Sequence, residues 1–213
     1  SMGYSGAERG GWLPVRNYTT SLFPEHERFM GRDLRSRYQI KRNPCWACQS
    51  SHCNIMKVTD GPYAGYVGEE PEYEQWAAWG SVIGNTEPGG AVVLSNEVDR
   101  LGMDTNEAGW IIGLLMECYQ KGILTRKDTD GLEMTWGNVE AARAMLRKIA
   151  LRQGMGEVLA EGVMRAARKL GGEVPNMAIH TMKGNSPRGH DHRALWWEMF
   201  DTCVSNTGTI ESS

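Results

Sequence analysis

A chain of 213 residues is long enough for one large or two small domains with a real core. Its net charge of −3 sets up no field that would draw nucleic acid or an anionic membrane, and no apolar stretch is long enough to span a bilayer. Five cysteines, three of them clustered, argue against a disulfide framework and for metal-binding thiolates in a reducing, cytoplasmic compartment.

In chain order, the first segment has no basic region followed by an apolar run, so no signal peptide is expected. Residues 3–44 read as loop-rich, because Gly10, Gly11, Pro14 and Pro24 break any long period. Within them Leu13–Tyr18 reads as extended chain and Glu25–Tyr38 as a short helix. Residues 58–71 carry Gly61, Pro62, Gly65, Gly68 and Pro71 and predict a connecting loop or hairpin, with a strand near Tyr63–Val67. Helical periods then dominate. Tyr73–Val82 forms a helix with Trp76, Ala77 and Trp79 turned inward, and Ala91–Leu101 a second one ended by Gly102. Thr105 or Asn106 caps the next, whose apolar residues Trp110, Ile111, Leu114, Leu115, Cys118 and Tyr119 follow the i, i+3, i+4 rhythm to Gln120. Asn138 caps Val139–Arg152, and Gly154 and Gly156 separate it from Val158–Leu170. A last strand is expected at Ala178–Met182. The fold class is mainly α with little sheet.

The chemistry is concentrated in Cys45-Trp46-Ala47-Cys48-Gln49-Ser50-Ser51-His52-Cys53. Three thiolates can converge on one centre from such a loop, and soft sulfur selects zinc or iron–sulfur over hard cations. A 4Fe–4S cube takes four protein thiolates, so the fourth would come from Cys118, Cys203 or a residue outside this chain. His52 offers an alternative ligand for zinc. From spacing alone a cluster, a zinc ion and unliganded core cysteines all stay open. Cys118 lies on the apolar face of its helix and reads as a core thiol. Taken alone, Glu74 reads as a solvated helix charge, and Asp99 and Asp104 as a helix C-terminal loop and an N-terminal cap. His190 and His192 alternate around Asp191, a pattern more often a loop hydrogen-bond network than a metal site.

The order of motifs narrows this. Cys45-x-x-Cys48-x-x-x-x-Cys53 is followed by Pro71-Glu72-Tyr73-Glu74, Trp79-Gly80 and Asp99-Arg100-Leu101-Gly102-Met103-Asp104-Thr105. Then come Glu117-Cys118-Tyr119-Gln120-Lys121-Gly122-Ile123, the segment Gly154–Val163, Lys183-Gly184 and Asp191-His192-Arg193. The ordered set resembles the aldehyde:ferredoxin oxidoreductase family over nearly the whole chain. These are tungsten enzymes whose cysteine loop holds a 4Fe–4S cluster beside a tungsten (or molybdenum) bis-pyranopterin. The resemblance implies a helical domain of that type and oxidation of an aldehyde to a carboxylic acid, with ferredoxin or a similar carrier as electron acceptor. It implies Cys45, Cys48 and Cys53 as cluster ligands. It implies Asp99, Gly102 and Asp104 as pterin contacts, Glu74 as an acid/base near the metal, and Asp191 and Arg193 as ligand or domain contacts.

Departures from the family pattern qualify the expectation. The cysteine loop has one extra residue before Cys53. Where the family often has Glu-x-x-His for an interface iron, this chain has Val93-Leu94-Ser95-Asn96, so that site is expected to be missing. Where it has Ser-Asn-Arg-Gly-Ala-Cys-His, this chain reads Ser205-Asn206-Thr207-Gly208-Thr209-Ile210-Glu211. That puts simple aldehyde oxidation in doubt and keeps an aromatic acyl-coenzyme A reductase subunit of the same family as an alternative. A zinc-stapled helical binding module is the alternative from another class. Family members are also much longer, so residues 3–182 are expected to form the central helical domain and 183–213 the truncated start of the next. Missing N- and C-terminal domains would be its partners, the chain alone would be inactive, and an uncovered face would allow a homodimer.

Overall fold

The computed structural model describes residues 3–50 and 52–206. The protein is mainly α, with one small sheet. The helices are α1 (Gly3–Arg9), α2 (Gly31–Tyr38), α3 (Tyr73–Ala77), α4 (Pro88–Arg100), α5 (Thr105–Gln120), α6 (Val139–Ala150), α7 (Met155–Leu159), α8 (Val163–Leu170), α9 (Val174–Met177) and α10 (Trp196–Val204). Strands β1 (Gln39–Arg42), β2 (Asn54–Lys57) and β3 (Val67–Glu69) pair antiparallel in the order β1-β2-β3. No described helix is long and apolar enough to cross a membrane.

α4 and α5 form the centre. Residues Pro88–Val98 and Ala108–Cys118 are buried without interruption. Helices buried around their whole circumference lie inside, so the others pack around these two, and their few buried polar side chains, such as Glu97, find partners. Pro88 starts α4, where its missing N–H costs nothing. Asp104 caps α5, accepting from Glu107 N–H at 2.7 Å, one residue before Thr105 and two before Asn106. Asn138 caps α6 and accepts from Ala141 N–H at 3.1 Å.

Several local expectations give way to packing. The helix expected over Tyr73–Val82 changes after Ala77 into a π turn, Ala78–Val82. The wider turn lets Trp76 and Trp79 both be fully buried, and Trp79 Nε1 donates to Thr105 Oγ1 at 3.0 Å. Val158–Leu170 is broken at Gly162, whose φ of +88 separates α7 from α8. Leu13–Tyr18 is extended only at its start. Arg16, Asn17 and Tyr18 have φ of 45, 53 and 61 and close a turn bridged by Val15 and Thr20. That left-handed run is held by tertiary bonds, from Arg16 N to Ser81 O and from Asn17 N to Val82 O. Of Tyr63–Val67 only Val67 enters a strand, and Ala178–Met182 forms none.

Close approach of backbones sets the helix spacing. A Cβ at Gly109 of α5 would lie 2.7 Å from Ala78 Cβ, and one at Gly113 would lie 3.3 Å from Val82 Cγ1. Gly189 meets the same segment from the other side, 2.7 Å from Ala77 Cβ. On the far face Glu97 of α4 accepts from Arg147 Nε at 2.6 Å and Arg143 Nε at 3.4 Å of α6. Burial pulls the Glu97 carboxyl upward, but Arg147 and then Arg143 outweigh it and hold the group below the usual carboxylate range.

Two expectations follow. Gly109→Val forces α5 off the π turn and should cost about 1–3 kcal/mol in urea denaturation, the range for overpacking a filled core. Glu97→Gln should cost about 2 kcal/mol at pH 7, the scale of hydrogen bonds to charged groups. A depressed carboxyl stabilises above its unfolded pKa of about 4.3 and loses that as pH falls. The gap between Glu97→Gln and the parent chain should therefore narrow below about pH 4.

Candidate metal and cofactor site

The cysteine loop hangs between β1 and β2. Asn43 N–H donates to Cys53 O at 2.9 Å and closes its base, and Cys48 N–H donates to Cys45 O at 3.0 Å within it. Ala47 between them has φ of 57. Cys45 is exposed, and Cys48 and Cys53 are half-buried. The rear of the loop is tied to the body: Arg35 donates to His52 O at 2.8 Å and to Glu70 Oε1 at 2.7 Å, and the buried Glu70 also accepts from Asn54.

Cys53 faces α3. Its Sγ lies 3.2 Å from Glu72 Oε1 and 3.6 Å from His52 Nε2, and those two groups are 2.7 Å apart. The Cys45 thiol lies beside it. Burial and then the Glu72 carboxylate push the Cys53 thiol up to about 12. Three thiols on one loop, two side by side, are a donor set that suits an iron–sulfur cluster in three of its four positions. Cys118 is buried in the core on α5, and Cys203 is exposed on α10.

Two residues beyond Glu72, Glu74 points the other way along α3. It is half-buried, with Oε1 3.9 Å from Arg188 Nη1. Tyr73 Oη donates to Gly189 O at 2.9 Å, and the His190 ring stands against Trp12 and Tyr73 with centroids 4.9 and 5.1 Å away. Segment 188–190 is thus laid along α3.

Arg188 lines a cavity of about 540 Å³ together with Asp104, Asn106, Glu107, Lys183 and Ser186. The volume is that of a small-molecule site. Asp104 uses Oδ1 to cap α5, and its Oδ2 accepts from no donor among the described residues. Gly102 has φ of 68 with open space where a Cβ would stand, so a ligand can approach its backbone. Asp99 is less free: both its oxygens accept from Gln75 Nε2, at 3.2 and 3.0 Å. The cavity, its cations and the spare carboxylate oxygen fit a pterin with its phosphate. A pterin at Asp99 would have to displace Gln75.

Asp191 and Arg193 lie apart from that cavity. They form a bidentate pair, with Nε to Oδ1 at 2.9 Å and Nη2 to Oδ2 at 2.5 Å, on a second cavity of about 410 Å³ that also includes Tyr18 and His192. Burial raises the Asp191 carboxyl, but Arg193 more than offsets this and the group is held low. Tyr18 stacks on Trp110 at 4.9 Å and donates to His190 O at 2.5 Å. Burial, then the Asp191 charge, raise its hydroxyl above the usual range.

Sequence reasoning passed over three residues that build this region. Glu72 joins the loop to α3, Arg188 joins Glu74 to the cavity, and Glu107 is its strut. Glu107 Oε1 accepts from Val163 N–H at 2.5 Å at the start of α8, and Oε2 from Ser186 N–H at 3.1 Å. Gly162 makes this possible, since a Cβ there would sit 2.8 Å from Glu107 Oε1. All three partners are distant in sequence, so no local pattern marks them.

The fold is that of a mainly helical domain in which the cysteine loop and the cavity meet one short helical segment through Glu72 and Glu74. By structure the protein is similar to the BamBC active-site complex of benzoyl coenzyme A reductase in complex with 1,5-dienoyl-CoA, with a TM-score of 0.70. Sequence identity there is 16%, over 93% of this chain and 30% of that one, a likeness of fold alone. The family model for aldehyde ferredoxin oxidoreductase, domains 2 and 3, matches residues 1–211, and the chain belongs to that family. It is 36% identical over 199 residues to an aliphatic sulfonate oxidoreductase, WOR-like subunit, of Pyrococcus furiosus, covering 90% of this chain and 31% of that protein. To the tungsten-containing aldehyde ferredoxin oxidoreductase of Thermococcus kodakarensis it is 31% identical over 188 residues, covering 87% and 30%. The chain therefore spans less than a third of the length of these multidomain relatives.

Removing the strut tests the cavity's construction. Glu107→Ala leaves two backbone donors unpaired and should cost about 1–3 kcal/mol. Amide exchange at Val163 and Ser186 should speed up together, while that of core α5 amides should follow only the global loss.

Proposed function

We propose that this chain is the central helical part of a tungstopterin, iron–sulfur oxidoreductase. The parent oxidises an aldehyde and water to a carboxylic acid, releasing two protons and two electrons to ferredoxin or a similar carrier. Residues 3–182 form the central domain and 183–213 begin the next. The observation that carries the reading is that one short helix and its cap serve both clusters: Glu72, the residue that caps α3, touches Cys53, and Glu74 of α3 meets Arg188 at the 540 Å³ cavity. Family membership supports it.

When bound, the metallopterin would supply two-electron redox chemistry beside Gly102 and Asp104, and a cluster on Cys45, Cys48 and Cys53 would supply one-electron transfer. The chain's own residues do the rest. Cys45, Cys48 and Cys53 hold the cluster against the start of α3. Asp104 Oδ2 and the backbone at Gly102 receive the pterin, with Asp99 beside them, and Lys183 and Arg188 offset negative charge in the cavity. Glu74 takes a proton from water at its carboxylate, with Arg188 keeping it oriented. Asp191 and Arg193 hold segment 188–193 in place.

One observation favours a second reading, reduction of an aromatic acyl-coenzyme A thioester: the family's Ser-Asn-Arg-Gly-Ala-Cys-His is replaced after Asn206, in residues 207–211 that lie outside the described ones. The test is to express the full-length parent anaerobically with tungstate. Cys45→Ser, Cys48→Ser and Cys53→Ser should each remove the cluster's electron paramagnetic resonance signal, and Cys118→Ser should keep it. Glu74→Gln should lower kcat roughly 100-fold with metal content unchanged, the scale of one general base. Turnover with aldehydes supports the first reading, and turnover with aromatic thioesters alone supports the second. Tungsten and turnover in the 213-residue chain by itself would overturn both.

A further inference from the structure

We infer that the cavity of about 410 Å³ beside α10 binds a small uncharged molecule with an apolar body and one end that both gives and takes hydrogen bonds. Its volume is that of a small-molecule site. Three of its lining residues carry a buried polar atom that makes no hydrogen bond among the described residues: Thr181 Oγ1, His192 Nε2 and Thr202 Oγ1. Buried polar groups are nearly always paired, because an unpaired one gives up its hydration for nothing. Three such groups at one cavity, two from segment 181–193 and one from α10, are a set that a bound molecule can satisfy together. A turn about the Cα–Cβ bond is all that either threonine needs to present its hydroxyl to a molecule there.

The rest of the wall sets the ligand's character. Ile179, Pro187, Met199 and the Tyr18 ring supply apolar surface, and a methionine adapts its shape to what it meets. Tyr18 Oη is already committed to His190 O. Asp191 and Arg193 neutralise each other in their bidentate pair. Glu198 Oε2 lies 2.7 Å from His190 Nδ1 and 3.7 Å from His192 Nε2, too far to bond the second ring but close enough to repel an anion. Burial holds the His192 imidazole below the usual histidine range, so at neutral pH its nitrogen gives or takes a hydrogen bond according to tautomer. Two hydroxyls and a neutral ring suit an amide or hydroxyl end rather than a carboxylate. This cavity is separate from the one assigned to the pterin, yet the two share a wall: Ser186 and Arg188 line that one, and Pro187 between them lines this one. Nothing in the set depends on redox chemistry, so the site stands whatever reaction the parent catalyses.

Benzamide is the probe, and benzoate is its charged counterpart of nearly equal size. Each is titrated at neutral pH into the isotope-labelled 213-residue chain and followed by amide chemical shifts. Benzamide should bind at millimolar concentration or below. It should move the amides of Thr181, His192 and Thr202 and leave those of Ala160 and Gly162, at the other cavity, in place. Benzoate should bind at least about tenfold more weakly, because its charge faces Glu198. Thr181→Val and Thr202→Val keep the side-chain shape and should each weaken benzamide about fivefold, the scale of one net hydrogen bond. Neither should lower the urea midpoint, since the hydroxyl has no partner in the fold to lose. Met199→Trp, at an exposed position on α10, should fill the cavity and abolish binding in a folded chain. No shift at tens of millimolar benzamide, shifts centred on the other cavity, or benzoate binding as tightly would overturn the inference. So would valine variants that lower the urea midpoint but bind benzamide unchanged, because the hydroxyls would then serve the fold and not a ligand.

Discussion

The close approach of α5 to the π turn at residues 78–82 is the constraint on which the rest depends. Gly109 and Gly113 remove the side chains that would keep the two apart. Trp76 and Trp79 then fill the space around the contact, and Trp79 ties it to the first residue of α5 through Thr105. Because α3 runs straight into the π turn, fixing the turn against α5 also fixes Glu72 and Glu74 relative to Asp104 and Glu107. Gly189 repeats the device from the opposite side and brings Arg188 to Glu74. Apolar burial supplies the driving force for this arrangement, and absent Cβ atoms supply its geometry.

Charged side chains then carry positions outward from that core to loops with little apolar surface of their own. Glu107 holds α8 and segment 183–188, Glu70 with Arg35 and Asn54 holds the cysteine loop, and Asp191 with Arg193 holds the segment next to Tyr18. Each is a carboxylate that accepts from more than one donor. Such groups are satisfied at both oxygens, so they fix direction as well as distance. This is why loops rich in glycine can still present ligands at defined separations.

The region of α10 is built differently. None of its residues is buried, and Trp196, Trp197 and Phe200 are exposed. Its links to the body are polar: Glu198 lies 2.7 Å from His190 Nδ1, and Lys183 Nζ donates to Ser205 O at 2.8 Å. The chain corresponds to less than a third of the length of its curated relatives. The contrast with α4 and α5 separates the part of the fold whose apolar surface is enclosed within this chain from the part whose surface is not.

Periodicity and capping residues were enough to determine the mainly α class, to place α5 and α6 to within two residues at their ends, and to bury Cys118. Those features rest on interactions within a few residues, which a sequence displays directly. The ordered motifs were likewise enough to determine the family. Tertiary structure alone decided where the helix after Tyr73 widens into a π turn, where Gly162 breaks α7 from α8, and how Arg16–Tyr18 turn left-handed. Each exchanges a local preference for packing or a hydrogen bond to a distant segment. β1 and β2 escaped notice because each has only four residues and β1 is exposed throughout, leaving no alternation to read. Glu72, Glu107 and Arg188 were invisible for the same physical reason: their meaning lies in partners 19, 56 and 114 positions away, and only the folded chain brings those together.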